Sequence, residues 1–236
     1  MKVLGVDTAT SCGGIGIIDD DEIVAEHTFG PGNAPSATLI RAMQTILDEA
    51  GLDLGSLEGI AISLGPGSFT GVRVGLSAVK GLALATGRPV VGIPTLDALA
   101  SQLPRTPYLI CPLVDARKGE VYVALYKQRA GGDVERLTPH QVLSPAALLA
   151  EISSQETIFL GDGAEVYREL ITGHLGERAF FAPPHLRFLH GTTVATCGHK
   201  RFKKWEGDDV VSLVPLYVRP SEAELKTKGA KGKDFS

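Results

Sequence analysis

The chain has 236 residues, of which 44% are hydrophobic and 21% are charged, a composition that predicts a globular protein of one or two domains. Its formal net charge of -4 argues against a protein that binds nucleic acid through a positive surface of its own. No apolar run of about 18 residues and no signal-peptide pattern occurs, so we expect a cytoplasmic protein without membrane contact.

The first half of the chain alternates strands with helices. Apolar runs predict strands at 2–7, 15–18 and 22–29, followed by a helix that Ser36 caps and that ends near Ala50. A buried strand at 57–64, a glycine loop at 65–71, a helix at 72–86 and a strand at 90–93 come next. This alternation implies right-handed crossovers and partly parallel pairing.

The second half begins with an echo of the first. Val114 and Asp115 follow an apolar run and precede a returning strand, as Val6 and Asp7 do near the start. The echo predicts an internal duplication, although a strand that ends in Asp is also common wherever a chain leaves a sheet. Further on, we predict a helix at 145–152, a strand and glycine turn at 158–163, and a helix at 164–170.

Two such halves that face one cleft are the layout of the actin/Hsp70-like (ASKHA) architecture. We therefore predict an α/β fold of two lobes, with duplicated mixed sheets flanked by helices. The N-terminal, partner-binding lobe is assigned to 1–103 and the C-terminal lobe to 104–225. A flexible, lysine-rich tail is predicted at 226–236 from its lysines and glycines.

The segment 65–87 reads GPGSFTGVRVGLSAVKGLALATG and joins a strand to a helix. Its glycines permit positive φ, and the helix start adds partial positive charge, so the backbone amides could face an anion. No Lys-Ser or Lys-Thr follows the last glycine, which separates it from a Walker loop. The alternative is a tight loop that packs the helix onto the sheet.

The run at 65–83 is similar to the TsaB (YeaZ) family, whose paralogue TsaD shares a shorter GPG…VG pattern. The resemblance continues at 94–100 (PTLDALA), 114–126 (VDARKGEVYVALY), 160–164 (LGDGA) and 215–224 (PLYVRPSEAE). The family's glycine-loop motif covers Gly65, Pro66, Gly67, Ser68, Phe69, Thr70, Gly71 and Arg73.

This resemblance implies a non-catalytic subunit of tRNA modification. The chain is expected to be a scaffold that activates a TsaD-like catalytic subunit, which transfers a threonylcarbamoyl group to the adenosine next to the tRNA anticodon. It implies heterodimerisation with that subunit, a TsaE-like ATPase as a further partner, tRNA contact only through the complex, and a homodimer when the chain is alone. ATP and a divalent metal are expected in the partner subunits, and no cofactor is expected in this chain.

The sequence lacks the metal motif of the catalytic paralogue. Where that paralogue has an HxxxH-type pair, this chain has Gly92 to Ala98 without histidine, and its six histidines contain no i,i+4 pair. We therefore predict no metal site. The chain also departs from many TsaB relatives, which open the first helix with His-Ser, because Pro35-Ser36 stands there.

An independent actin-fold ATPase or phosphotransferase is the alternative function. Its phosphate-binding residues would lie at the two hairpins, although turn formation also explains why these residue types occur there. A lone tRNA-binding protein is disfavoured by the acidic balance and by the absence of an aromatic and basic stripe. The residues of this degenerate nucleotide site would be Asp7, Thr8, Thr10, Asp115, Gly161 and Gly163.

We predict the partner interface on the two N-terminal helices. The first helix carries a broader apolar face than one sheet contact needs, and the second carries a stripe of small residues that allows close approach. A buried contact between helix and sheet is the alternative reading of that stripe. The predicted interface residues are Leu39, Ile40, Met43, Leu47, Gly71, Gly75 and Ala78.

Overall fold

The computed structural model describes residues 1–30, 38–204 and 207–219 of the chain. The predicted tail at 226–236 and the residues Pro35 and Ser36 lie outside the described residues. Within those ranges, no helix is both long enough and apolar enough to cross a membrane.

The first sheet has five strands, which match the predicted strands closely. They are β1 (Lys2–Asp7), β2 (Gly14–Asp19), β3 (Glu22–Thr28), β4 (Gly59–Ser63) and β5 (Val90–Ile93). Their order is β3-β2-β1-β4-β5. The first three strands pair antiparallel, and β1, β4 and β5 pair parallel. Parallel pairing requires the crossovers that the intervening helices supply.

Two helices cover one face of this sheet. Helix α1 (Leu39–Glu49) has Thr38 at its N-cap position without a side-chain bond, while the predicted cap Ser36 lies outside the described residues. Helix α2 (Phe69–Thr86) begins three residues before the predicted Val72, because Ser68 Oγ accepts a hydrogen bond from Gly71 N at 3.2 Å. It ends at Gly87, whose φ of 68° favours glycine.

The second sheet contains β6 (Leu109–Arg117), β7 (Glu120–Val123), β8 (Tyr126–Gln128), β9 (Val134–Arg136), β10 (Gln141–Leu143), β11 (Thr157–Leu160) and β12 (Ala179–Phe181). Its main path is β10-β7-β6-β11-β12, and β8 and β9 form a hairpin beside β6. The path has antiparallel pairs on one side of β6 and parallel pairs on the other, as in the first sheet. The repeated order confirms the predicted duplication.

Three helices accompany the second sheet, namely α4 (Pro145–Glu151), α5 (Asp162–Val166) and α6 (Arg168–Leu175). The single helix predicted at 164–170 is therefore wrong. The chain breaks at Tyr167, which serves as the C-cap of α5 and the N-cap of α6.

Two further helices, α3 (Thr95–Ser101) and α7 (Gly191–Phe202), help fill the space between the sheets. Helix α7 packs on β1, β2 and β4. A Cβ atom added to Gly5 would lie 2.1 Å from Gly191 O, and one added to Gly198 would lie 2.4 Å from Ala61 Cβ. The helix can approach the sheet this closely only because glycine has no side chain. The range 104–225 assigned to the second lobe therefore includes a helix that packs on the first sheet.

Candidate functional site

A cleft of about 470 Å³ opens where the two duplicated hairpins meet. The turn after β1, with Thr8 and Thr10, forms one wall, and the N-terminus of α2 adjoins it. The end of β6, with Asp115, and the start of α5, with Asp162, form the opposite wall. Of the six residues of the predicted degenerate nucleotide site, Thr8, Thr10 and Asp115 line this cleft.

Asp7 does not line this cleft, because it is completely buried beneath it. Its Oδ1 accepts hydrogen bonds from Ser63 Oγ at 2.5 Å and from Ala9 N at 2.9 Å, and its Oδ2 accepts one from Thr10 Oγ1. Burial raises the pKa of Asp7 despite these bonds, which favour the charged form. All its contacts are internal, so the carboxylate is not placed to hold a metal-bound phosphate.

The glycine loop packs directly on the first hairpin. A Cβ atom on Gly67 would lie 2.2 Å from Ala9 O, and one on Gly71 would lie 2.0 Å from Thr8 O. Thr8 Oγ1 donates a hydrogen bond to Gly71 O at 2.8 Å. The glycines therefore let α2 reach the turn where an actin-like ATPase grips phosphates. The glycines here serve the close packing of α2 on this turn.

The second hairpin is held by its own acidic groups. Asp162 Oδ1 accepts a hydrogen bond from Asp115 N at 3.0 Å, while Asp115 accepts one from Arg117 N at 2.9 Å and pairs with the Arg117 guanidinium at 3.4 Å. Gly161 has a φ of 92°, and a Cβ atom there would lie 2.2 Å from Leu113 O. Gly163 lies against Leu113 as well. Both glycines therefore serve close packing.

A second pocket, of about 580 Å³, adjoins the cleft and shares Gly67, Phe69 and Tyr122 with it as lining residues. Pro66 and Arg73 of the family motif line it, together with Tyr122 and the segment 215–219. Leu216 N donates to Leu64 O at 2.8 Å, which fixes this segment to the end of the first sheet. Of the described family-motif segments, three therefore meet around one cavity.

Most of the predicted interface residues of α1 belong to the core. Leu39, Met43 and Leu47 are almost completely buried against the first sheet and α2, so they offer no surface to a partner. The apolar face is broad because it fills the space beside both β2 and β3. Ile40 differs, since 61% of it is exposed.

The stripe of small residues on α2 also faces inward. Gly75 is buried, and a Cβ atom there would lie 2.1 Å from Thr8 Oγ1. Gly71 lies against Thr8 as described above, and Ala78 packs partly against the core. The outward face instead carries Ser77, Gly81 and Leu84, of which Leu84 is 70% exposed. Gly81 has open space where a side chain would be.

The described parts of the chain contain no group of three His, Cys, Asp or Glu side chains that could hold a metal ion. Sequence reasoning recognised Asp162 only as the centre of the Gly161–Gly163 turn, and it missed Tyr122 as a cleft residue and Tyr217 as a pocket residue. Asp162 lies inside the LGDGA motif and Tyr217 inside PLYVRPSEAE, so both motifs could have pointed to these residues as site residues.

Comparison with known proteins gives consistent matches. A family model described as TsaD, tRNA N6-adenosine threonylcarbamoyltransferase, matches residues 33–227. The Bacillus subtilis (strain 168) tRNA threonylcarbamoyladenosine biosynthesis protein TsaB is 30% identical over 228 residues, which cover 96% of this chain and 97% of that protein.

Solved structures support the fold. YeaZ from Pseudomonas aeruginosa superposes with a TM-score of 0.76 at 25% identity, covering 92% of this chain and 99% of that one. The activator of the 2-hydroxyisocaproyl-CoA dehydratase from Clostridium difficile, solved with bound ADPNP, gives a TM-score of 0.53 at 12% identity, with coverage of 87% and 97%. This second likeness shows the fold alone. Together the two confirm the predicted actin/Hsp70-like architecture.

Proposed function

The chain belongs to the TsaB (YeaZ) family of tRNA threonylcarbamoyladenosine biosynthesis proteins, and we propose that it acts in the cytoplasm as the non-catalytic partner of a TsaD-like subunit. In this role it activates transfer of the threonylcarbamoyl group to the adenosine next to the anticodon. ATP, a divalent metal and a TsaE-like ATPase belong to the partner subunits, and tRNA binds to the assembled complex.

The observation that carries the non-catalytic role is the use of Asp7. Asp7 is the acidic residue at the turn of the first hairpin, where a nucleotide would bind. Its side chain is instead buried and accepts hydrogen bonds from Ser63, Thr10 and Ala9 N. Gly67 and Gly71 meanwhile bring α2 against the turn that would hold phosphate. Both features support a fold retained for its shape.

The outward faces of α1 and α2 are the partner surface in this proposal. Helix α1 lies beside α2, so Ile40 on one helix and Ser77, Gly81 and Leu84 on the other belong to adjacent exposed faces. An exposed Leu and Ile beside a glycine with open space suit a closely packed helical contact. A TsaD-like subunit suits this surface, because related folds pair through equivalent surfaces, and the same logic allows a homodimer when the chain is alone.

The test is the affinity of the chain for the TsaD-like subunit of its own organism, measured by titration calorimetry. Ile40→Glu and Gly81→Leu should leave the fold intact, because both positions face solvent, and should weaken association about a hundredfold or more. Val166→Glu is the matched control, since Val166 is 60% exposed on α5 of the other sheet. Normal association of both folded variants would place the interface elsewhere.

A further inference from the structure

The pocket beside the cleft combines rings and guanidinium groups that come from distant parts of the chain. Phe69 and Arg73 lie on the first turns of α2, Tyr122 lies on β7, and Tyr217 and Arg219 lie in the last described segment. Arg73 and Tyr217 are 144 positions apart in sequence. The aromatic and basic stripe that the sequence lacks is therefore assembled by the fold.

Three of these side chains pack together at the surface, with the Arg73 guanidinium over the Phe69 ring and the Tyr217 ring tilted by 33° to that of Phe69. The rings of Phe69 and Tyr217 have centroids 5.7 Å apart, and the Arg73 guanidinium carbon lies 3.8 Å from the centre of the Phe69 ring. Arg73 Nε donates a hydrogen bond to Tyr217 Oη at 2.8 Å, which fixes the orientation of both groups. Phe69 is nonetheless 46% exposed and Tyr217 48% exposed. Nearly half of each ring therefore remains open to solvent beside the Arg73 guanidinium.

Two arginines, Arg73 and Arg219, line the pocket, and a third, Arg117, lies at the adjoining cleft. Arg73 uses Nε for Tyr217, and its two terminal amino groups make no hydrogen bond to another described residue. Arg219 also lines the pocket and pairs with Glu120 of β7. Arg117, at the rim of the adjoining cleft, has a side chain that is 83% exposed.

We propose that this pocket binds an unpaired nucleotide of the tRNA substrate. The base stacks on Tyr217 or Phe69, since every base has a π-face that an aromatic ring or a guanidinium plane can cover. The terminal amino groups of Arg73 bind the adjoining phosphate, for which the planar guanidinium is suited. This inference rests on the proposed function, and it adds a direct RNA contact to a subunit expected to meet tRNA only through its partner.

The experiment uses the complex of this chain with its TsaD-like subunit and a fluorescein-labelled, unmodified tRNA anticodon stem-loop. Fluorescence anisotropy gives the affinity at several salt concentrations. Tyr217→Ala and Arg73→Ala should each weaken binding about tenfold, which is the scale of one lost stacking or phosphate contact. Arg73→Ala should also reduce the slope of log affinity against log salt by about 0.7, whereas Tyr217→Ala should leave the slope unchanged.

A matched control removes an aromatic residue from a stack elsewhere. Tyr108 stacks on Phe180 with a centroid distance of 4.0 Å, away from both cavities, and Tyr108→Ala should leave RNA affinity unchanged. The affinity of each variant for the TsaD-like subunit is measured in parallel. It should stay normal.

The outcomes separate this inference from the proposed function. If the complex forms and RNA affinity and salt slope are unchanged in both variants, the RNA contact is overturned while the proposed function stands. If the variants lose the TsaD-like subunit and keep RNA affinity, the pocket binds a protein segment, which also overturns the inference. If the unaltered chain does not bind a TsaD-like subunit, the proposed function fails, and the same titration on the chain alone tests the pocket.

Discussion

His190 Nδ1 donates a hydrogen bond to Glu26 Oε2 across 2.9 Å, and this contact joins the start of α7 to β3. The other ring nitrogen of His190 lies 2.6 Å from the carbonyl oxygen of His185. Both partners accept hydrogen bonds, so both ring nitrogens must carry protons. Glu26 Oε1 accepts two further bonds from Thr192, from its N at 3.1 Å and its Oγ1 at 2.6 Å.

The two pKa values move in opposite directions. The hydrogen bond to Glu26 raises the pKa of His190 above its ordinary value of 6.5. Burial works to raise the pKa of Glu26, but the bonds from His190 and Thr192 outweigh it and hold that pKa below the ordinary 4.5. Stability from His190 is complete below 6.5 and is lost as pH rises through the raised value. Stability from Glu26 is complete above 4.5 and is lost as pH falls through the lowered value.

We therefore predict that the pair stabilises the fold most between pH 4.5 and pH 6.5. In urea unfolding at about pH 5.5 and about pH 8.5, His190→Gln should lose stability mainly at the lower pH. His174→Gln, which alters an exposed histidine near the end of α6, is the control and should change neither value. An equal loss at both pH values would show that His190 is not charged in the folded chain.

The two glycines at positions 75 and 81 of α2 should respond oppositely to the same substitution. Gly75→Ala places a methyl group against Thr8 and should cost about 1–3 kcal/mol. Gly81→Ala meets open space and should stabilise by about 0.5–1 kcal/mol, because alanine favours helix. Thermal and urea unfolding of the two variants check this. Similar effects of both substitutions would contradict the packing of α2 on the first hairpin.

Substitutions of Asp7 separate a structural carboxylate from a nucleotide ligand. Asp7→Ala leaves the donors of Ser63, Thr10 and Ala9 without an acceptor and should cost about 1–3 kcal/mol. Asp7→Asn keeps the shape and an acceptor oxygen, so it should cost less. Because burial raises the pKa of Asp7, its contribution to stability falls as pH rises from 3.8 through the raised value. Asp7→Asn should remove that fall.

The functional readout for Asp7 is tRNA modification by the reconstituted complex. Asp7→Asn should retain it, since the proposed function uses no carboxylate here for metal or phosphate. Loss of modification by a stably folded Asp7→Asn chain, together with magnesium-dependent ATP binding by the unaltered chain, would favour the alternative of an actin-fold ATPase.

Much of the architecture could be predicted from the sequence, because the local residue patterns agree with the overall fold. The strand at Val90–Ile93 was predicted at its observed bounds, and the other strands of the first sheet were predicted within two residues at each end. The correspondence between Asp7 and Asp115 predicted the duplication that the strand order shows. Helix α7 was missed because it packs through Gly191, Ala195 and Gly198, which carry no apolar periodicity, although their i, i+4, i+7 spacing was a usable signal.

The candidate site was harder to predict, because contact across the chain decides it. The apolar face of α1 looked too broad for one sheet, and only its position beside β2 and β3 shows that Leu39, Met43 and Leu47 are all used internally. No local pattern pairs Arg73 with Tyr217. The sequence likewise does not show that Gly75 faces inward and Gly81 outward, because this depends on the position of Thr8 against α2.

The placement of α7 has a consequence for how the protein is made. One face of the first sheet is covered by α1 and α2, which lie between its strands in the chain and leave the ribosome with them, but the other face is covered by a helix that begins only at Gly191. At ordinary translation rates that face waits roughly 5 to 20 seconds for its cover. A nascent chain whose synthesis stalls before Gly191 therefore exposes one apolar face of its first sheet for as long as the stall lasts.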